Sequence, residues 1–125
     1  MKVLESSRTP EAIGPYVLGR ELNGVCYFSG QIALDRQTNQ MKQDSLEEEV
    51  KQVFYNIECM LADNGLGFAN VIKTTVFLVD MADFQAVNSI YSSYFQAPFP
   101  ARSCVAVKGL PKGARVEIEV IAGRS

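Results

Sequence analysis

Ser45-Leu46-Glu47-Glu48-Glu49-Val50-Lys51-Gln52-Val53-Phe54-Tyr55-Asn56-Ile57-Glu58-Cys59-Met60-Leu61-Ala62-Asp63-Asn64-Gly65 is the stretch that decides the fold. Ser45 followed by Glu48 has the form of a capping box, and three consecutive glutamates suit the positive end of a helix dipole. Val50, Val53, Phe54, Ile57 and Leu61 recur at helical spacing and make one apolar stripe. Asn64-Gly65 supplies the left-handed residue that closes the helix. A helix with a single stripe must bury it against another layer. That layer is sought on either side of it in the chain.

On both sides the chain reads as strands. Tyr16 to Ile32 gives two, with Asn23-Gly24 as a hairpin turn between them. The second runs Val25 to Ile32, and Gly30 near its end marks a place where something approaches the backbone closely. After the helix, Val71 to Val79 is a β-branched and aromatic run with the character of a central strand. Asp80 is placed to cap a second helix, whose Phe84, Val87, Tyr91 and Tyr94 share a face and which Pro98 and Pro100 stop. Ala101 to Val107 and Arg115 to Ala122 are the last strands, and their Gly109–Gly113 connection reads by default as a hairpin. The order β-β-α-β-α-β-β, about five strands and two amphipathic helices, predicts a two-layer α+β sandwich over residues 1–125 as one domain. The sheet face away from the helices stays open unless other subunits cover it.

Composition narrows the chemistry. The chain has 125 residues, 47% apolar and 21% charged, with a net charge of −2. These values suit a globular domain able to build its own core. No basic block or stripe is present, which argues against nucleic acid as a partner. Cys26, Cys59 and Cys104 are an odd number at no metal-like spacing, so reduced thiols and a cytoplasmic setting are expected. The opening Met1-Lys2-Val3-Leu4-Glu5 meets charge too soon for a signal peptide, and no apolar run is long enough to span a membrane. There is no histidine. Ser-His-Asp and Cys-His arrangements are therefore excluded, and chemistry must run on carboxylates, arginine, tyrosine, thiol, backbone amides and water.

Arg102 is the first candidate. It opens the otherwise small and apolar strand Arg102-Ser103-Cys104-Val105-Ala106-Val107, and its planar fork matches a carboxylate bidentately. A solvated strand-end arginine, or one paired with an internal acid, fits the same pattern. Glu117 and Glu119 alternate with Val116, Ile118 and Val120, so both carboxylates share one face. They read either as a polar outer face or, if one meets Arg102 in a pocket, as a group that holds or activates water. Tyr16, after the turn Ile13-Gly14-Pro15, is an edge tyrosine or a site residue. Ser29-Gly30 offers a hydroxyl and a backbone N–H to an anion, or is simply a tight strand end. Cys104 lacks an evident base and reads as a structural thiol.

The segments Ala12-Ile13-Gly14-Pro15-Tyr16, Ser29-Gly30-Gln31-Ile32, Val71–Phe77, Phe99-Pro100-Ala101-Arg102-Ser103-Cys104-Val105 and Glu117-Ile118-Glu119 together resemble the reactive intermediate deaminase (RidA, formerly YjgF) family. The resemblance runs from about Pro10 to Ala122. It implies a chorismate-mutase-like fold with the final strand inserted inside the sheet, and a homotrimer with sites between subunits. It implies hydrolysis of 2-aminoacrylate and related enamine/imine acids to 2-keto acids and ammonia, with no metal or organic cofactor. Residue by residue, Arg102 corresponds to the arginine that grips the substrate carboxylate and Glu117 to the acid that positions or activates water. Tyr16, Ser29, Gly30 and Cys104 correspond to positions lining the ligand, with Gly30 and Cys104 acting through backbone groups. The rival reading is a non-catalytic trimer that binds or senses small keto or amino acids through the same arginine.

Overall fold

The computed structural model describes residues 1–125 as two helices packed on one face of a six-stranded mixed sheet. The strands are β1 (Lys2–Leu4), β2 (Gly19–Leu22), β3 (Val25–Phe28), β4 (Val71–Leu78), β5 (Ala101–Ala106) and β6 (Val116–Gly123). The helices are α1 (Leu46–Ala62) and α2 (Phe84–Ser92). The α+β sandwich expected from the sequence is present. The added strand is β1, three residues too short to show a pattern, which pairs antiparallel with β2.

The sheet order is β1-β2-β3-β6-β4-β5. This overturns the default hairpin between the last two strands: β6 pairs antiparallel with both β3 and β4, and β5 runs parallel to β4 at the edge. The reason lies in the apolar content of β6. Val116, Ile118, Val120 and Ala122 are all buried, and such a strand belongs in the middle of the sheet rather than at its rim. The Asn23-Gly24 turn is as read. Both residues have positive φ, 52° and 79°, which matches the twist of a two-residue hairpin. β3 ends at Phe28 rather than Ile32. Beyond it only Gln31 returns to the sheet, exchanging two backbone hydrogen bonds with Ile118 at 2.9 and 3.1 Å.

α1 buries Val50, Val53, Phe54, Ile57, Met60 and Leu61 against the sheet. Its N-terminus departs from a simple capping box. The Ser45 side chain accepts from the Glu48 N–H at 3.0 Å, but the Glu48 carboxylate reaches the Asp44 N–H instead of that of Ser45. Glu49 is fully buried. It accepts from the backbone N–H of Arg115 at 2.7 Å and from its Nε at 2.6 Å, which ties α1 to the start of β6. Asp80 caps a single 3-10 turn, Met81–Asp83, and α2 begins only at Phe84. The prolines do not stop α2. It ends at Ser92, where the hydroxyls of Ser92 and Ser93 donate to the carbonyls of Ser89 and Ile90. Tyr94 still packs inward, stacked on Phe54 at a centroid distance of 4.2 Å.

The opposite sheet face carries no helix. Leu22 and Tyr27 on it are about half exposed, and Val105 is 42% exposed; Phe77, Glu117, Glu119 and Ile121 share that face. Strand alternation puts every second residue of β6 there.

Candidate functional site

Glu117 lies at the heart of a cavity of about 320 Å³. Its lining includes Ile13, Tyr16, Ser29, Gly30, Ile32 and Lys112. The volume lies near the lower end of small-molecule sites, roughly 300–1,000 Å³. Three features of the chain build it. The paired hydrogen bonds between Gln31 and Ile118 hold the segment after β3 against β6, so Gly30 faces Glu117. The Ser29 hydroxyl donates to the Val17 carbonyl at 2.7 Å and its N–H to Leu18, fixing the approach to β2. The turn at Gly14, closed by the Tyr16 N–H at 2.8 Å, leaves the Tyr16 ring 53% exposed at the rim.

The close approach inferred at Gly30 is real and its partner is Glu117. A Cβ on residue 30 would lie 2.9 Å from Glu117 Cδ and closer still to Oε2. Only a residue without a side chain lets the carboxylate lie over the backbone there. Burial pushes the Glu117 carboxyl above its ordinary value, and the neighbouring Glu119 adds to this. No cation opposes the shift. Glu117 therefore combines partial burial, no salt-bridge partner and a position facing an open cavity, a setting that favours its protonated form more than water does and suits proton exchange with a bound molecule.

Arg102 is elsewhere. In the parallel ladder it lies beside Thr74, whose side chain is buried under α2, so Arg102 projects on the helix side of the sheet. Its Nη1 donates to Asn88 Oδ1 at 2.7 Å, and its guanidinium carbon lies 4.8 Å from the Tyr91 ring centroid and 5.6 Å from that of Phe84. None of the chain's ion pairs includes it. The reading of Arg102 as one half of an internal pair is thus set aside: its partners are an amide oxygen and an aromatic face. Cys104 lies two residues on, beside buried Val76 on the same side, and burial raises its thiol pKa. A raised thiol is a poor nucleophile.

Of the candidate residues, the fold brings Tyr16, Ser29, Gly30 and Glu117 together, and it brings Arg102 and Cys104 together. It does not join the two groups within one chain. Glu117 sits opposite Phe77 and Arg102 opposite Thr74, two strands apart, three residues along, and on opposite faces. Strand geometry puts their Cα atoms roughly 14 Å apart with the sheet between them. Sequence reasoning missed Asn88 and Tyr91, the residues that hold Arg102. Their spacing of three on one helix face was the available signal. No group of three or more His, Cys, Asp or Glu side chains converges as a metal site, and no helix is long and apolar enough to cross a membrane.

A two-layer sandwich that presents a carboxylate cavity on one sheet face and an acid-free arginine on the other defines a class with known members. The family model for endoribonuclease L-PSP matches residues 6–123. A 2-iminobutanoate/2-iminopropanoate deaminase from Mus musculus is 46% identical over 121 residues, covering 97% of this chain and 90% of the mouse protein. The crystal structure of YyfA from Yersinia pestis, described as a protein of unknown function of the conserved Rid family, superposes with a TM-score of 0.94 at 43% identity, covering 98% of each chain. That of Escherichia coli TdcF with bound serine gives 0.93 at 39% identity, covering both chains completely. The chain belongs to the RidA/YjgF (L-PSP) family.

Proposed function

We propose that the protein is an imine/enamine deaminase that converts 2-aminoacrylate, through 2-iminopropanoate, and 2-iminobutanoate to 2-keto acids and ammonia. The observation that carries this reading is Glu117, a half-buried carboxyl with a raised pKa and no salt-bridge partner, facing a cavity of about 320 Å³. Relatives named 2-iminobutanoate/2-iminopropanoate deaminase, at 43–46% identity, support the reaction type.

The chemistry asks little of the protein. Water adds to the electrophilic C=N carbon as Glu117 takes its proton and passes it to nitrogen; the carbinolamine's hydroxyl proton then travels through the same carboxyl to the amine, which leaves as ammonia as the C=O bond forms. Arg102 holds the substrate carboxylate in its planar fork and fixes which face of the imine the water meets. Tyr16, Ser29 and the Gly30 and Cys104 backbones line the bound acid. With Arg102 and Glu117 on opposite faces of one sheet, a small acid meets both only where one subunit's arginine edge abuts the next subunit's cavity. A homotrimer, closed through the helix-free sheet face and working in the cytoplasm, provides that arrangement.

A second reading, a carboxylate binder without turnover, is favoured by the serine in the Escherichia coli relative. Cleavage of RNA, which the family description suggests, fits less well: there is no histidine, the net charge is −2, and the charged groups lining the cavity are Glu11, Lys112 and Glu117. The test is release of ammonia and keto acid from enzymatically generated 2-aminoacrylate. Wild type accelerates it, and Arg102→Ala lowers kcat/KM by roughly 100-fold or more, the cost of losing a bidentate carboxylate clamp. Saturable binding without acceleration, on this substrate and its four-carbon homologue, establishes the binder instead.

A further inference from the structure

Arg102 is on an edge strand, exposed, and without an acidic partner. A side chain with that much freedom samples many rotamers, yet a carboxylate clamp works only when its fork is held ready. The groups around it are therefore informative. Beneath the guanidinium is the Tyr91 ring, at 4.8 Å, on α2. Tyr91 is itself 4% exposed and wedged among Phe54 and Phe95, at 5.8 and 4.8 Å. Its hydroxyl shares a 2.7 Å hydrogen bond with the fully buried hydroxyl of Thr74. Thr74 is the residue paired with Arg102 in the β4–β5 ladder. The path returns to where it began: strand neighbour, phenol, ring face, guanidinium.

We propose that Tyr91, pinned by the Thr74 hydroxyl, is a positioning residue that aligns Arg102 for its carboxylate ligand, a role that rests on the function proposed above. The ring supplies a flat, electron-rich face for the planar guanidinium. Asn88 accepts from one of the two N–H groups of Nη1 at 2.7 Å, which leaves the other donors of the fork for the ligand. Without that hydrogen bond, whichever side loses its hydroxyl, nothing polar fixes the tilt of the Tyr91 ring, and the platform under Arg102 is no longer held in one orientation.

Two variants at one residue separate positioning from mere stability. Thr74→Val keeps the shape and removes the hydroxyl; Thr74→Ser keeps the hydroxyl and removes a methyl group. Steady-state deamination of 2-iminobutanoate, melting temperature, and calorimetric binding of 2-oxobutanoate are measured for both, with wild type and Arg102→Ala as references. Thr74→Val raises KM and the keto-acid Kd about fivefold, with kcat within about twofold of wild type, since the loss is of binding shared by ground and transition states. Thr74→Ser binds as wild type even where it melts lower. Tyr91→Phe repeats the Thr74→Val result, because it keeps the platform and removes the pin. The inference is overturned if wild type is active and Arg102-dependent while Thr74→Val and Tyr91→Phe bind as it does, or if KM follows melting temperature across the set. Absence of both turnover and keto-acid binding in wild type overturns the proposed function, and this role with it.

Discussion

Mixing two variants gives the sharpest test of where the proposed site is assembled. Arg102→Ala and Glu117→Gln each remove one half of that proposed site and are expected to be inactive alone. Within one chain these halves stand on opposite faces of the sheet, roughly 14 Å apart between Cα atoms by strand geometry. No single subunit can restore the other's loss internally. In the closed trimer proposed above, each site would take its arginine from one subunit and its carboxylate from the next. An intact site therefore forms wherever a Glu117→Gln subunit donates arginine to an Arg102→Ala subunit. Every mixed trimer contains one such junction, so trimers carrying both variants recover about a third of wild-type kcat, and unselected random mixtures about a quarter. The assay is co-expression of differently tagged variants, sequential affinity purification, native mass spectrometry to verify the mixed assembly, and ammonia release. Verified mixed trimers no more active than the two parents would refute the between-subunit site.

Other perturbations follow from contacts described above. Gly30→Ala drives a methyl group into Glu117 and should lower kcat/KM roughly tenfold or more while the far-ultraviolet spectrum stays native, because the displaced group is the carboxyl proposed to take the water's proton. The Glu117 carboxyl titrates above its ordinary 4.5, so the acidic limb of the kcat/KM profile lies higher than that of a free carboxylate, and Glu119→Gln shifts it back down. The linked stability has the matching sign. A raised folded-state pKa favours the native state fully below the unfolded value, and that contribution disappears as pH rises through the folded value, so Glu117→Gln flattens this part of the stability–pH curve measured by urea unfolding. Glu49→Ala leaves the half-buried Arg115 without its partner and should cost about 3 kcal/mol in the same assay, with part of the usual loss offset by hydration of the exposed guanidinium.

Much of this architecture was legible from residue pattern because its signals are local. The α1 stripe, the Asn23-Gly24 turn and the alternation in Val116–Val120 each depend on neighbours a few residues away. What depended on distant partners was not legible. Glu49 reads as one of three equivalent glutamates at a helix start, yet it is the buried anchor for Arg115, 66 residues on. The place of β6 between β3 and β4 is a choice among pairings that its own residues only constrain. Residue pattern left Arg102 open between a ligand role and an internal pair, and the resemblance to the RidA family supplied its carboxylate role. Neither suggested that Arg102 rests on Tyr91, because that contact needs the β4–α2–β5 unit to be closed. The glycine at position 30 was the clearest long-range signal in the chain: an empty side chain at a strand end, with a carboxylate 87 positions later filling the space.

The position of β6 also bears on how the protein comes into being. It is the last of the six strands to leave the ribosome, and it is the one that joins β1-β2-β3 to β4-β5. Before Val116–Gly123 emerges, β3 and β4 each present an open ladder of backbone donors and acceptors to solvent. A nascent chain stalled in the Gly109–Gly113 turn is thus a pair of half-sheets with sticky inner edges, the kind of intermediate that pairs with its neighbours on a polysome. Synthesis of the final strand completes the sheet and removes that hazard in the same step that delivers Glu117 to its cavity.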